Sequence, residues 1–419
     1  MQRFRVLAAL ALAAGLAGCI EDQSAADLRP DLSNNGGLFQ RYVALGTSIS
    51  SGLQSGGIND STQREAFPVL VARQANASFF YPKLNGRGCP APIVNNTTTP
   101  PTRVGNQPPT TPCELRAVPL PPRLNSLAVP GMQIADFFSN TATPISTYEQ
   151  LQIFFLGGQI PVQALMEAQP TFVTLEIGSN EVLGALLAGN NAGNPDSIFP
   201  VAQFEALYER LADSLDKLGA RVVTTNVADV TAIPYASAGQ TWWCLKTGLC
   251  PGVPAAGFPP NFTVSNNCAP RTPLTPAGKG DSILVPWTKG IPRLVAAITP
   301  PNPPVTLDCS QDSIMVLPAE FAAMRNAKRD YNDAIQRVAT AHGWDVVDFD
   351  AMLQEQRAAG RVPPFPDLSA ALAGGAVKFG PYFSLDGFHP AGPANRLVAD
   401  SVITIVNRRY GGTIPLVGP

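Results

Sequence analysis

Apolar and polar positions alternate along this chain in two rhythms. Short apolar runs end in glycine-bearing turns, and longer stretches repeat apolar residues every three or four positions. Tyr42–Leu45 is the first apolar run, and Gly46, Thr47 and Ser48 follow it directly. Ala66 to Gln74 sets Phe67, Leu70 and Val71 on one helical face. Leu124 to Val129 reads as a second strand ended by Pro130-Gly131, with a helix starting over Met132 to Phe138. Thr171 to Ile177 is rich in strand formers and ends in Gly178-Ser179-Asn180-Glu181. Val201 to Leu218 repeats Val201, Phe204, Leu207, Leu211, Leu215 and Leu218, a predicted amphipathic helix stopped by Gly219. Further strands are predicted at Arg221 to Val227 and Trp344 to Phe349, and helices at Glu320 to Ala341 and Ala394 to Ile405. Strands alternating with amphipathic helices predict an α/β fold with a parallel sheet.

Two stretches break the rhythm. Cys89 to Pro122 contains NNTTTPPT and NQPPTTP, which excludes regular helix or central strand. Residues 234–317 hold four cysteines and Trp242, Trp243 and Trp287. Both read as insertions, at 85–122 and 234–317, on a domain spanning 39–412. The tryptophans either line a pocket or fill a small disulfide-pinned core, and the second is the commoner use of such residues. No internal repeat is visible.

Composition fits this division. Of 419 residues, 42 are proline and only 14% are charged, against about 25% in a typical domain. Long loops on a compact core follow. The net charge of −2, without a basic cluster, argues against nucleic acid as a partner.

The N-terminus adds a compartment. Arg3 and Arg5 precede an apolar stretch, Val6 to Leu16, that is too short to span a bilayer. It ends in Leu16-Ala17-Gly18-Cys19, which resembles a bacterial lipobox. The resemblance implies a signal peptide over 1–18, cleavage before Cys19 and lipidation of its thiol. An ordinary secretory signal is the alternative. Ile20 after the cysteine, by resemblance to lipoprotein sorting in Gram-negative cells, favours the outer membrane, with the protein anchored on its periplasmic or outer face. Residues 19–38 read as a flexible tether. Beyond Cys19, six cysteines remain, an even number that argues for disulfides in an exported protein. The sequential pairing Cys89–Cys113, Cys244–Cys250 and Cys268–Cys309 is one of about 15 possible. With no CxxC and only two histidines, a zinc site is disfavoured.

Those two histidines bound the acid–base chemistry. His342 falls at a predicted helix C-terminus, where a cation interacts well with the helix end. His389 lies three residues after Asp386, close enough for that carboxylate to orient its imidazole. Ser48, at a strand end entering a helix, is a candidate nucleophile. Gly131 and Asn180 follow two further predicted strands and offer a backbone and a side-chain N–H to an oxyanion. Each alone is ordinary: a turn glycine, a helix cap, a surface DxxH.

Taken in order, the blocks Gly46-Thr47-Ser48-Ile49-Ser50-Ser51-Gly52, LAVPG ending at Gly131, Gly178-Ser179-Asn180-Glu181 and Asp386-Gly387-Phe388-His389-Pro390 resemble the GDSL/SGNH hydrolases, a family of esterases and lipases. The resemblance implies a flavodoxin-like three-layer α/β/α sandwich with a mainly parallel sheet. It also implies Ser48 as nucleophile, Asp386 and His389 as the other triad members, and Ser48, Gly131 and Asn180 as oxyanion donors. No metal or organic cofactor is required. The expected substrate is a lipid, glycan or other small carboxylic ester. Alternatives are a carbohydrate O-deacetylase of the same fold and an inactive binding or scaffold lipoprotein. Thr47 stands where the family has the Asp of GDS, and Glu181 where it has the Asp of GxND.

Overall fold

The computed structural model describes residues 37–108, 118, 121, 123–139, 151 and 154–418. The signal segment, Cys19, most of the tether and Cys113 lie outside the described residues.

Four parallel strands form the central sheet, in the order Tyr42–Leu45, Phe172–Leu175, Arg221–Thr225, Asp345–Val347. Tyr42 pairs with Phe172 and Leu45 with Leu175, so the first two strands end level. The predicted strand at Leu124 to Val129 is reduced to one parallel bridge, Ser126 with Ala44, on the free edge of the first strand. The backbone there bonds to the first strand and its exit only at Ala44 and Gly46, with Asn125 adding a side-chain bond to the Tyr42 carbonyl, too little for a regular ladder. Counting that segment as the second element, the sheet order is 2-1-3-4-5. The direction of winding then reverses between Tyr42–Leu45 and Phe172–Leu175, the position where open α/β sheets hold ligands.

Side chains alternate across the sheet as period-two strands demand. Val43, Val173 and Val222 join one core, covered by the helices Pro161–Ala168, Val201–Leu218 and Pro318–Ala341. Tyr42, Phe172 and Val223 join the other, covered by Phe67–Gln74 and Gly392–Tyr410. The result is an α/β/α sandwich. Val201–Leu218 has the predicted bounds, and Gly219 takes the left-handed conformation that stops it, at φ 65°. The turn predicted to open a helix after Met132 is instead a 3-10 segment, Ile134–Phe138.

Residues 234–317 are more regular than their composition implied. They carry the helices Gly239–Thr247 and Trp287–Ile298, the latter with Pro292 inside it. Cys244–Cys250 and Cys268–Cys309 are bonded. Trp242 and Trp243 pack with Phe262 and the Cys268–Cys309 bridge in a core of their own, so these two tryptophans are structural. Cys89 is also disulfide-bonded.

Candidate active site

The first strand ends at Leu45, and Ser48 opens a single helical turn, Ser48–Ser51. Gly46 is needed for this tight exit, because a Cβ there would lie 2.4 Å from Ser50 Oγ. On the neighbouring strand, Gly178 has φ +114°, and a Cβ would meet Val227 at 2.5 Å. That glycine lets the chain turn so that Asn180 begins the helix Asn180–Leu187. Both turns lie at the carboxyl edge, on either side of the winding reversal.

His389 and Asp386 come from the loop before the last helix. His389 is 5% exposed, and its Nδ1 lies 2.8 Å from Asp386 Oδ2. Asp386 is the better held of the two. Gly56 N donates to Oδ2 at 2.6 Å. Phe388 N, His389 N and Ser384 Oγ donate to Oδ1 at 3.0, 2.9 and 3.1 Å. Burial pushes this carboxyl up, but the adjacent imidazole and these donors outweigh it and hold the group below its ordinary value. With Nδ1 against the carboxylate, a neutral His389 carries its proton on Nδ1 and leaves Nε2 as the acceptor.

Ser48, Asn180 and His389 line one cavity. Most of its wall is apolar and includes Leu183, Val230, Ile233, Leu353, Val362 and Phe388. Gly131 is not part of that wall. It lies on an exposed turn at φ 82°, next to Met132, whose carbonyl accepts from Asn180 Nδ2 at 2.7 Å. The structure thus brings Ser48, Asn180 and His389 to one space, puts Asp386 behind His389 and ties Asn180 to the Gly131 turn. The other histidine is elsewhere: His342 ends the Pro318–Ala341 helix, with Nδ1 2.7 Å from Asp216 Oδ2.

Two buried acids lie beside these residues in the chain or in space. Glu176 follows the second strand and is 1% exposed; its carboxyl group accepts from Thr47 and Ser50, on both sides of Ser48. Burial pushes it up in spite of those donors. Glu181 is fully buried, accepts from Ile134 N at 2.6 Å, and is pushed up to about 8 by burial. The signal for Glu176 was an acid directly after four buried strand residues.

No protein-family model and no curated protein matches the chain. Solved structures do. The chain is similar to an acetyl xylan esterase, AlAXEase, with TM-score 0.35 and 11% identity over 87% of this chain and 98% of that one. It is also similar to a protein described as a GDSL-like lipase from Parabacteroides merdae ATCC 43184, with TM-score 0.33 and 12% identity over 87% and 95%. An extracellular lipase from Streptomyces rimosus gives TM-score 0.33 and 14% identity over 88% and 99%. Superpositions this loose carry no chemical conclusion for the present chain.

Proposed function

We propose that the chain is a serine ester hydrolase of the GDSL/SGNH type, exported and lipid-anchored at Cys19, acting on esters with an apolar acyl group. The observation that carries this reading is that His389, held by the buried Asp386, faces the same apolar cavity as Ser48 and Asn180. Nε2 of His389 takes the proton of Ser48 Oγ as that oxygen attacks the ester carbon. Asp386 keeps the ring oriented and stabilises the imidazolium. The Ser48 N–H and the Asn180 side-chain amide receive the oxyanion, while the Gly131 turn, outside the cavity wall, holds Asn180 through the Met132 carbonyl; one such donor typically contributes about 3 kcal/mol to lowering the barrier. His389 then returns the proton to the leaving alcohol, and water releases the acid from Ser48.

The cavity supports the acyl preference. Its volume is about 130 Å³, the scale of space that takes up a benzene-sized apolar group. An acetyl group would leave most of that apolar wall facing water, which argues against a dedicated O-deacetylase.

Hydrolysis of a p-nitrophenyl ester series tests this. Wild type is expected to favour chains of several carbons over acetate, and Ser48→Ala to reduce turnover to background while the fold survives. Equal turnover in the variant would remove Ser48 from the site. Release of acetate from an acetylated glycan, with little turnover of longer esters, would select the deacetylase.

A further inference from the structure

Ser48 sits on a one-turn helix of four residues, Ser48–Ser51. So short a helix cannot hold its own geometry. Its N-cap, Thr47, makes no side-chain cap bond to the turn. What the turn lacks is supplied from the neighbouring strand. Glu176 Oε2 accepts from Thr47 N at 2.9 Å, Ser50 Oγ at 3.1 Å and Ser50 N at 3.4 Å. Thr47 Oγ1 lies 3.0 Å from both carboxyl oxygens. The residue before Ser48 and the residue two after it therefore hang from one side chain, and all three partners are buried.

This arrangement rests on the reading of Ser48 as nucleophile. We propose that Glu176 is its positioning residue: the acceptor oxygens of its carboxyl group fix the Thr47–Ser50 turn, and with it the direction of Ser48 Oγ and Ser48 N–H. The same carboxyl group explains how threonine is accommodated at position 47, since the acid that serves this turn arrives from the next strand. Burial raises Glu176, and hydrogen bonds from Thr47 and Ser50 are the influences opposing it. Every contact that Thr47 and Ser50 make with Glu176 is a hydrogen bond donated to a carboxyl oxygen, so the turn requires oxygen acceptors at this place.

The full chain separates these roles when wild type, Glu176→Leu and Glu176→Gln are compared. The readouts are the rate of Ser48 labelling by a fluorophosphonate probe, kcat and KM for a p-nitrophenyl ester, and thermal unfolding. Leucine fills the volume without acceptors, and misplacing the nucleophile is expected to lower the labelling rate and kcat by about 100-fold with KM little changed. Glutamine keeps an oxygen for Thr47 N and Ser50 N and is expected to stay within about tenfold of wild type. A folded Glu176→Leu that labels at the wild-type rate overturns the proposal, as does a folded glutamine variant slowed as much as the leucine variant. Should Glu176→Leu not fold, Thr47→Val removes one hydroxyl donor and is expected to slow labelling several-fold; an unchanged rate overturns the proposal. Wild type that neither labels at Ser48 nor cleaves any ester sinks the nucleophile reading itself, which is a different result from a labelled wild type with indifferent variants.

Discussion

Asp386 and Glu176 are both buried, and both accept from backbone amides, yet their surroundings treat them in opposite ways. Asp386 has an imidazole at 2.8 Å as well as four further donors, and it is held below its ordinary value. Among the described residues, Glu176 has only the neutral donors of Thr47 and Ser50, and it is pushed up. Neutral hydrogen bonds alone do not offset burial at Glu176, whereas an imidazole together with neutral donors does at Asp386. One loop is built to keep a charge, and the facing turn is built around an acid that takes a proton more readily.

The sharpest way to break this contrast is to neutralise each acid in its own shape. Asp386→Asn keeps the volume but presents an amide to Nδ1, so the histidine tautomer is lost; kcat is expected to fall about 10⁴-fold. The matching change at 176 is expected to cost far less. Comparable losses in kcat from the two amides would end the distinction.

Stability against pH offers a second probe. The lowered Asp386 contributes stability that is present above the ordinary carboxylate range and lost as pH falls through its depressed value. Glu181, raised from 4.5 to about 8, does the reverse: the folded state binds the extra proton in that window, so stability declines as pH rises through it. Its Oε1 accepts from Ile134 N, and its Oε2 has no hydrogen-bond partner among the described residues. Glu181→Gln is expected to flatten the fall of Tm between about pH 5 and 8 and to raise Tm at pH 8 by a few degrees. Parallel Tm curves for variant and wild type would contradict this. The smallest effect is expected at Ser384, whose hydroxyl accepts from Ser55 N and donates to Asp386. Ser384→Ala is expected to lower unfolding free energy by ~1 kcal/mol in a denaturant titration while kcat moves by less than about tenfold.

The elements legible in the sequence were those whose pattern is local. Tyr42–Leu45 and Val201–Leu218 declare themselves by period and by the glycine that follows. The Leu124 to Val129 stretch has strand composition, but pairing depends on a partner, and only Ala44 bridges to it. The helix Trp287–Ile298 was hidden by Pro292 and by the irregular composition around it. At the site, Asp386 and His389 were readable because they are three residues apart. The role of Glu176 was not, because its donors Thr47 and Ser50 lie 129 and 126 residues away, and a distance of that kind leaves no periodic trace.

The loop carrying Asp386 and His389 is gripped from two sides by the segments with the least regular sequence. Asn96, from the proline-rich stretch, donates to the carbonyls of Val377 and Leu385 at 3.0 and 2.8 Å. Trp287, from the cysteine-rich stretch, donates to the Asp386 carbonyl at 3.3 Å. Seen as engineering stock, this chain therefore resists trimming. A miniature made by excising either excursion would keep the four strands of the sheet but lose buried residues of its core, Cys89 or Leu284 and Val316, and with them the scaffolding around its most sensitive loop.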